Sequence, residues 1–180
     1  FTVAVCTTDD GGSSGSLLRS LRCIALGDLR RAILSSITPH GLLSRHPYLY
    51  PEDLESVAAC LQRILNHRFG GSADPSVVKS PSTLLRPGTR GSVPQALLSF
   101  LDEMGRAFFS NPHCKRIPLA EQCLGNLLLV GSIYGQRGRG GASKRAGGPF
   151  SPSGREIVKG IHAFAEGIGA GQKIVYPVCS

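Results

Sequence analysis

Phe1-Thr-Val-Ala-Val-Cys6-Thr-Thr-Asp9-Asp10-Gly11-Gly12-Ser13-Ser14-Gly15-Ser16-Leu17-Leu18-Arg19 begins the sequence. A short apolar run rich in β-branched residues ends in two carboxylates. A loop of glycines and serines follows, and then a helical pattern starts. That order reads as strand, loop and helix N-terminus. In an open parallel sheet, ligands lie beyond the carboxyl ends of the strands, where such loops sit. Gly11, Gly12 and Gly15 let the backbone bend sharply and turn N–H groups toward an anion. Ser13 and Ser14 add hydroxyl donors, and the helix behind them adds a positive dipole end. Asp9 and Asp10 suit a metal, a ribose hydroxyl or an acceptor hydroxyl. The same residues also read as ordinary strand-end turn chemistry, with the serines as a helix-entry cap.

The chain has 180 residues and a formal net charge of +8. Its length suits one domain, and its basicity favours anionic partners such as nucleotides and phosphates. The six cysteines form no CxxC pair and mostly lie in apolar stretches. Reduced thiols and a cytoplasmic setting are therefore expected. No signal peptide is expected, because no basic segment followed by an apolar one opens the sequence. No apolar run approaches the ~20 residues needed to span a bilayer.

Beyond the opening loop the pattern is mostly helical. Leu17, Leu18 and Leu21 begin a short stripe, and Leu29, Ile33, Leu34 and Ile37 form another, with Asp28 placed to cap it. Pro39 and Gly41 are read as its stop. Pro51-Glu52-Asp53 opens the next helix, with Leu54, Val57, Ala58, Leu61, Ile64 and Leu65 inward. Residues 70–94 are rich in Gly, Pro and Ser and read as a long connection with a short strand or turn at Val77-Val78. Gln95 to Phe109 is a helix. Pro118 to Tyr134 is apolar nearly all round and should be buried, which makes Gly125 and Asn126 anomalies within it. Residues 137–148 are an Arg-Gly tract, read as a solvated loop, so nucleic acid is not an expected partner. Ser153-Gly-Arg-Glu156 is a capping-box sequence for the last helix. The ending Ile174-Val-Tyr-Pro-Val-Cys179 reads as a second strand. The helices are expected to dock on a parallel sheet whose remaining strands lie outside this chain. Unpaired sheet edges would leave room for a homo-oligomer.

Five segments together resemble the YvcK/CofD family. They are Asp9-Asp10-Gly11-Gly12-Ser13-Ser14-Gly15, Ala25-Leu26-Gly27-Asp28-Leu29-Arg30, Asn66-His67-Arg68-Phe69, Cys123-Leu124-Gly125-Asn126-Leu127-Leu128-Leu129 and Tyr176-Pro177-Val178. They occur in the family's order and cover essentially the whole chain. The family comprises gluconeogenesis-factor-like proteins that bind uridine-diphosphate sugars, and the 2-phospho-L-lactate transferases. The resemblance implies an α/β fold, a Rossmann-like parallel sheet with helices on both faces, helix-rich and incomplete in this chain. It implies one domain over residues 1–180, lacking the family's N-terminal glycine-rich strand-loop and its C-terminal part. The Asp-Asp-Gly-Gly-Ser-Ser-Gly form is similar to the gluconeogenesis-factor branch.

The resemblance implies a nucleotide-sugar-binding regulatory protein. The alternative is a transferase moving a phospholactyl group from a nucleotide-activated donor to an acceptor hydroxyl. Asp9 and Asp10 would be the catalytic acids of that transferase, with Asp10 as the Mg²⁺ ligand. The ligand-binding candidates are Gly11, Gly12, Ser13, Ser14, Gly15, Gly27, Asp28, Arg30 and Asn126. Two features depart from the family: Arg31 stands where many members carry Asn or His, and Gln122-Cys123 where many carry His-Ser. None of the five histidines has a metal-ligand partner at helical i, i+4 spacing, and His67 is read as structural.

Overall fold

The most apolar stretch of the sequence becomes the helix around which the others pack. In the computed structural model, which describes residues 3–6, 17, 21, 26–135, 152–170 and 175–178, the chain runs as follows. Strand β1 is Val3–Cys6; helices α1 Gly27–Ser35, α2 Pro39–Arg45 and α3 Leu54–Asn66 come next. Then come α4 Pro75–Lys79, α5 Pro87–Arg90, α6 Gln95–Ser110, α7 Leu124–Gly135 and α8 Gly154–Gly167, and strand β2, Val175–Val178. Every α7 residue from Leu124 to Tyr134 is buried. Helices α6 and α8 pack against it most extensively, and α1, α3 and α4 also touch it.

Close packing around α7 depends on a small residue. A Cβ on Gly131 would lie 2.0 Å from the Met104 carbonyl oxygen, so only glycine lets α6 approach this closely. On the other side, Ser132 Oγ donates to the Gly160 carbonyl at 2.8 Å, which gives a buried hydroxyl its partner. Tyr134 Oη donates to the Leu21 carbonyl at 2.9 Å, tying the helix to the buried, helical Leu21.

The expected Rossmann-like parallel sheet with helices on both faces is not what these residues form. Among the described residues the strand content is one parallel pair, Val3–Cys6 with Val175–Val178, in the register Val3 to Val175 and Cys6 to Val178. Two single antiparallel bridges are separate from it. A doubly wound fold buries a central sheet on both faces. Here the layer buried on all sides is α7, whose Leu-rich run favours a helix, and the other helices pack on it.

Local readings are corrected in the same way. Helix α1 does end before Pro39 and Gly41, at Ser35, but a second helix starts there: Thr38 caps α2, its hydroxyl accepting from the Gly41 N–H at 3.0 Å, and Pro39 occupies the first turn, where proline is tolerated. Residues 70–94 are not a bare connection, and Val77-Val78 lie within α4. Asp74 caps that helix, its carboxylate accepting from the Ser76 N–H at 2.8 Å, and a 3₁₀ turn at Pro81–Leu84 follows. The apolar helix starts at Leu124 rather than Pro118. At α8 the capping box is formed: Ser153 Oγ accepts from the Glu156 N–H, and the Glu156 carboxylate accepts from the Ser153 N–H at 2.8 Å.

Candidate functional site

Three segments distant in sequence meet at one side chain. Arg30 projects from α1 and is only 5% exposed. Its Nε donates to Asn126 Oδ1 at 3.1 Å, and its Nη1 donates to the Leu65 carbonyl at 3.0 Å and to Asn66 Oδ1. Leu65 and Asn66 are the last two residues of α3, and Asn126 lies in the first turn of α7. The final carbonyls of a helix lack intrahelical partners, and the C-terminal end of its dipole attracts a cation. Arg30 therefore caps α3. The helix end and two amide oxygens supply the negative potential that a carboxylate would otherwise provide.

The junction is laced from the other side as well. Cys123 Sγ donates to the same Leu65 carbonyl at 3.2 Å. The Leu124 N–H donates to the His67 carbonyl at 2.8 Å, and the Phe69 N–H to the Gln122 carbonyl at 3.0 Å, around an antiparallel bridge between Arg68 and Cys123. Glu121 carries a φ of 62°, which turns the chain into this bridge. The His67 ring meets Phe69 edge to face at 5.0 Å, in keeping with a structural histidine. A Cβ on Gly125 would lie 2.4 Å from the Leu65 carbonyl oxygen and 2.6 Å from Arg30 Cδ, so glycine is required here by close approach.

The electrostatics follow from this packing. Burial pushes the Arg30 guanidinium below its ordinary pKa; Cys123 opposes the shift, and Arg31 and Arg68 add to it. Asp28 does not cap α1, since the N-cap is Leu26 and no side chain caps the helix. Its carboxylate instead pairs with Arg31 at 3.1 Å on the surface. Arg30 is thus not oriented by Asp28.

Of the residues expected at a site, the structure brings Arg30 and Asn126 into contact, with Gly27 and Asp28 on the same helix as Arg30. Asp9, Asp10, Gly11, Gly12, Ser13, Ser14 and Gly15, with the Mg²⁺ expected at Asp10, lie outside the described residues, as does the Arg-Gly tract. Among the described residues no three or more His, Cys, Asp or Glu side chains are grouped to hold a metal. No helix among them is long and apolar enough to cross a membrane. Sequence reasoning missed Asn66 and the Leu65 carbonyl. The signal for Asn66 was present, since it begins the Asn66-His67-Arg68-Phe69 segment.

The chain resembles a gluconeogenesis factor. Over 107 residues, 58% of this chain, it is 36% identical to the protein named "Putative gluconeogenesis factor" from Mycobacterium tuberculosis, in strain CDC 1551 / Oshkosh and in strain ATCC 25618 / H37Rv alike. The chain spans 26% of the length of these relatives. No family model matches it, and no solved structure matches it. The likeness supports kinship with the YvcK family.

Proposed function

We propose that this chain forms part of a nucleotide-sugar-binding regulatory protein of the YvcK type, acting in gluconeogenesis and cell-envelope metabolism. The observation that carries the reading is the convergence of three of the five family-like segments on Arg30, in a chain 36% identical to a gluconeogenesis factor over 107 residues. Segments that serve only local folding have no need to share one buried guanidinium. Here Arg30 and Arg68 give the junction a positive field, which suits a diphosphate. Gly27 and Asp28 lie on the same helix as Arg30. The Asp9 to Gly15 loop would supply the acids and the anion cradle, with Mg²⁺ at Asp10.

Calorimetry on the chain with uridine-diphosphate sugars tests this reading. Saturable heat, weakened by Asp10→Asn, is the expected result. No heat with any of these sugars, together with turnover of a guanosine-diphosphate-linked phospholactate donor, would overturn it in favour of phospholactyl transfer.

A further inference from the structure

Helix α2 is docked along a single seam at the end of α8, the element it packs on most extensively. The seam is backbone against backbone. A Cβ on Gly41 would lie 2.1 Å from the Gly169 carbonyl oxygen, and one on Gly169 would lie 2.9 Å from Leu42 Cα. Gly169 also carries a φ of 79°, so both conformation and space require glycine there. Ile37, ahead of α2, forms an antiparallel bridge with Ala170. Leu42 is the α2 side chain that is buried. A helix of seven residues does not hold its winding alone, so α2 depends on this seam.

His46 closes the far end of the seam. It is the C-cap of α2, and its N–H donates to the Leu42 carbonyl at 2.8 Å. The side chain is buried; one ring nitrogen bonds to the Gly167 backbone, and Nε2 is inaccessible with no partner. A neutral imidazole tolerates this, because its second nitrogen carries no hydrogen. An imidazolium has an N–H on both nitrogens, so it would bury a charged donor facing no acceptor. The charged groups around the seam come from every neighbouring element. Arg45 and His40 lie on α2, and Asp53 lines one concavity with His46. Glu103 of α6 and Glu166 of α8 line another with Arg45. Arg45 is the charge that acts on the ring, and it disfavours a second cation.

We propose that this seam is a pH-sensitive latch: protonation of His46 undocks α2 from the end of α8 and uncovers Leu42, while α6, α7 and α8 stay packed. The open form takes up its proton near the ordinary histidine value of about 6.5. Docking is therefore complete above that pH and is lost as pH falls from it toward the lowered value of the docked ring. Asp53, Glu103 and Glu166 are carboxylates, which ordinarily titrate about two units lower, outside this window. The latch is independent of the nucleotide-sugar reading, because it uses none of the residues of the Arg30 junction.

The test is amide hydrogen exchange on the 180-residue chain between about pH 7.5 and pH 5.5, with rates corrected for intrinsic exchange and repeated at low urea. Helix α2 is expected to exchange through a small opening, about 100-fold more frequent than that of α7 and nearly insensitive to urea. Its opening constant should rise about tenfold across the pH range. His46→Phe should flatten that rise. Gly41→Ala, which keeps the histidine but forces the seam apart, should open α2 about tenfold more often already at about pH 7.5. Four results would each overturn the proposal. They are no rise across the pH range, an equal rise in His46→Phe, α2 protection unchanged in Gly41→Ala, or α2 and α7 sharing one opening constant and one urea dependence.

Discussion

Arg30 and His46 are buried to nearly the same degree, at 5% and 7% exposure, yet their polar atoms meet different fates. Arg30 Nε and Nη1 are taken up by two amide oxygens and a helix-terminal carbonyl, from segments 35, 36 and 96 residues away. His46 has one ring nitrogen bonded to the Gly167 backbone and the other with no partner. Burial without hydrogen bonding is costly, and satisfied burial is not. The first side chain therefore holds the fold together, while the second carries an unmatched polar atom into the packed interior. A buried polar residue in a sequence signals either role equally. Only the partners distinguish them.

The largest effect should come from breaking the satisfied side of this comparison. Arg30→Leu leaves Asn126 Oδ1, the Leu65 carbonyl and Asn66 Oδ1 without their shared donor. The loss should be about 3 kcal/mol or more, read as a lowered urea midpoint at unchanged slope. Arg30→Lys keeps the charge, but an ammonium cannot span three acceptors in a planar fork, so it should recover less than half of the loss. Full recovery by lysine would show that charge alone, without the geometry of the fork, holds the junction.

Gly125→Ala attacks the same junction through space rather than chemistry. Its methyl would enter the 2.4 Å gap before the Leu65 carbonyl oxygen and displace the Arg30 stem. A destabilisation of about 2 kcal/mol is expected. Because both changes act on one contact set, the double variant Gly125→Ala, Arg30→Leu should cost about 1 kcal/mol or more less than the sum of the two. Strict additivity in a double-mutant cycle would mean that the two residues support α3 separately.

How much of this was legible in the sequence differs between the two regions for a physical reason. Helical periodicity located α3, α6 and α8, because an amphipathic face is written within a few turns of one segment. The capping box of α8 was legible for the same reason, since both partners lie three residues apart. Helix α2 was not, because Pro39 and Gly41 are breakers in a helix interior but are tolerated in a first turn capped by Thr38. The expected sheet failed at a higher level. Apolar runs show that something is buried, not whether its neighbours are strands or helices, and α7 supplies the central layer as a helix. At the junction, sequence singled out Arg30 and Asn126 one by one. That they bond to each other depends on a contact across 96 residues, which no local pattern encodes. The orphan at His46 was invisible for the same reason: lack of a partner is a property of the packed molecule.

The pH dependence of stability should separate the two side chains next. Burial holds the His46 imidazole below its ordinary pKa; the Gly167 bond opposes this, and Arg45 adds to the lowering. The unfolded chain therefore takes up a proton near the ordinary value of about 6.5, while the folded chain resists it. The stability linked to His46 is complete above that pH. It is lost as pH falls from about 6.5 through the lowered folded value. The urea midpoint should accordingly drop between about pH 7 and pH 5. Asp53 lines one concavity with His46, so the slope is assigned to His46 only if it flattens when that residue is replaced.

His46→Phe provides that replacement, and it should have the smallest effect on stability at neutral pH. The substitution gives up the bond to Gly167 but also removes the unpartnered Nε2, and a ring still fills the space. Loss of a neutral hydrogen bond and relief of a buried orphan are each about 1 kcal/mol and opposite in sign, so the net change should stay within about 1 kcal/mol. The contrast with Arg30→Leu is the sharpest form of the comparison, because both variants replace a buried polar side chain with an apolar one. A loss at His46 as large as that at Arg30 would mean that Nε2 is satisfied in solution. A near-neutral change in stability, with a flattened pH profile, would show that the imidazole is buried with Nε2 unpaired.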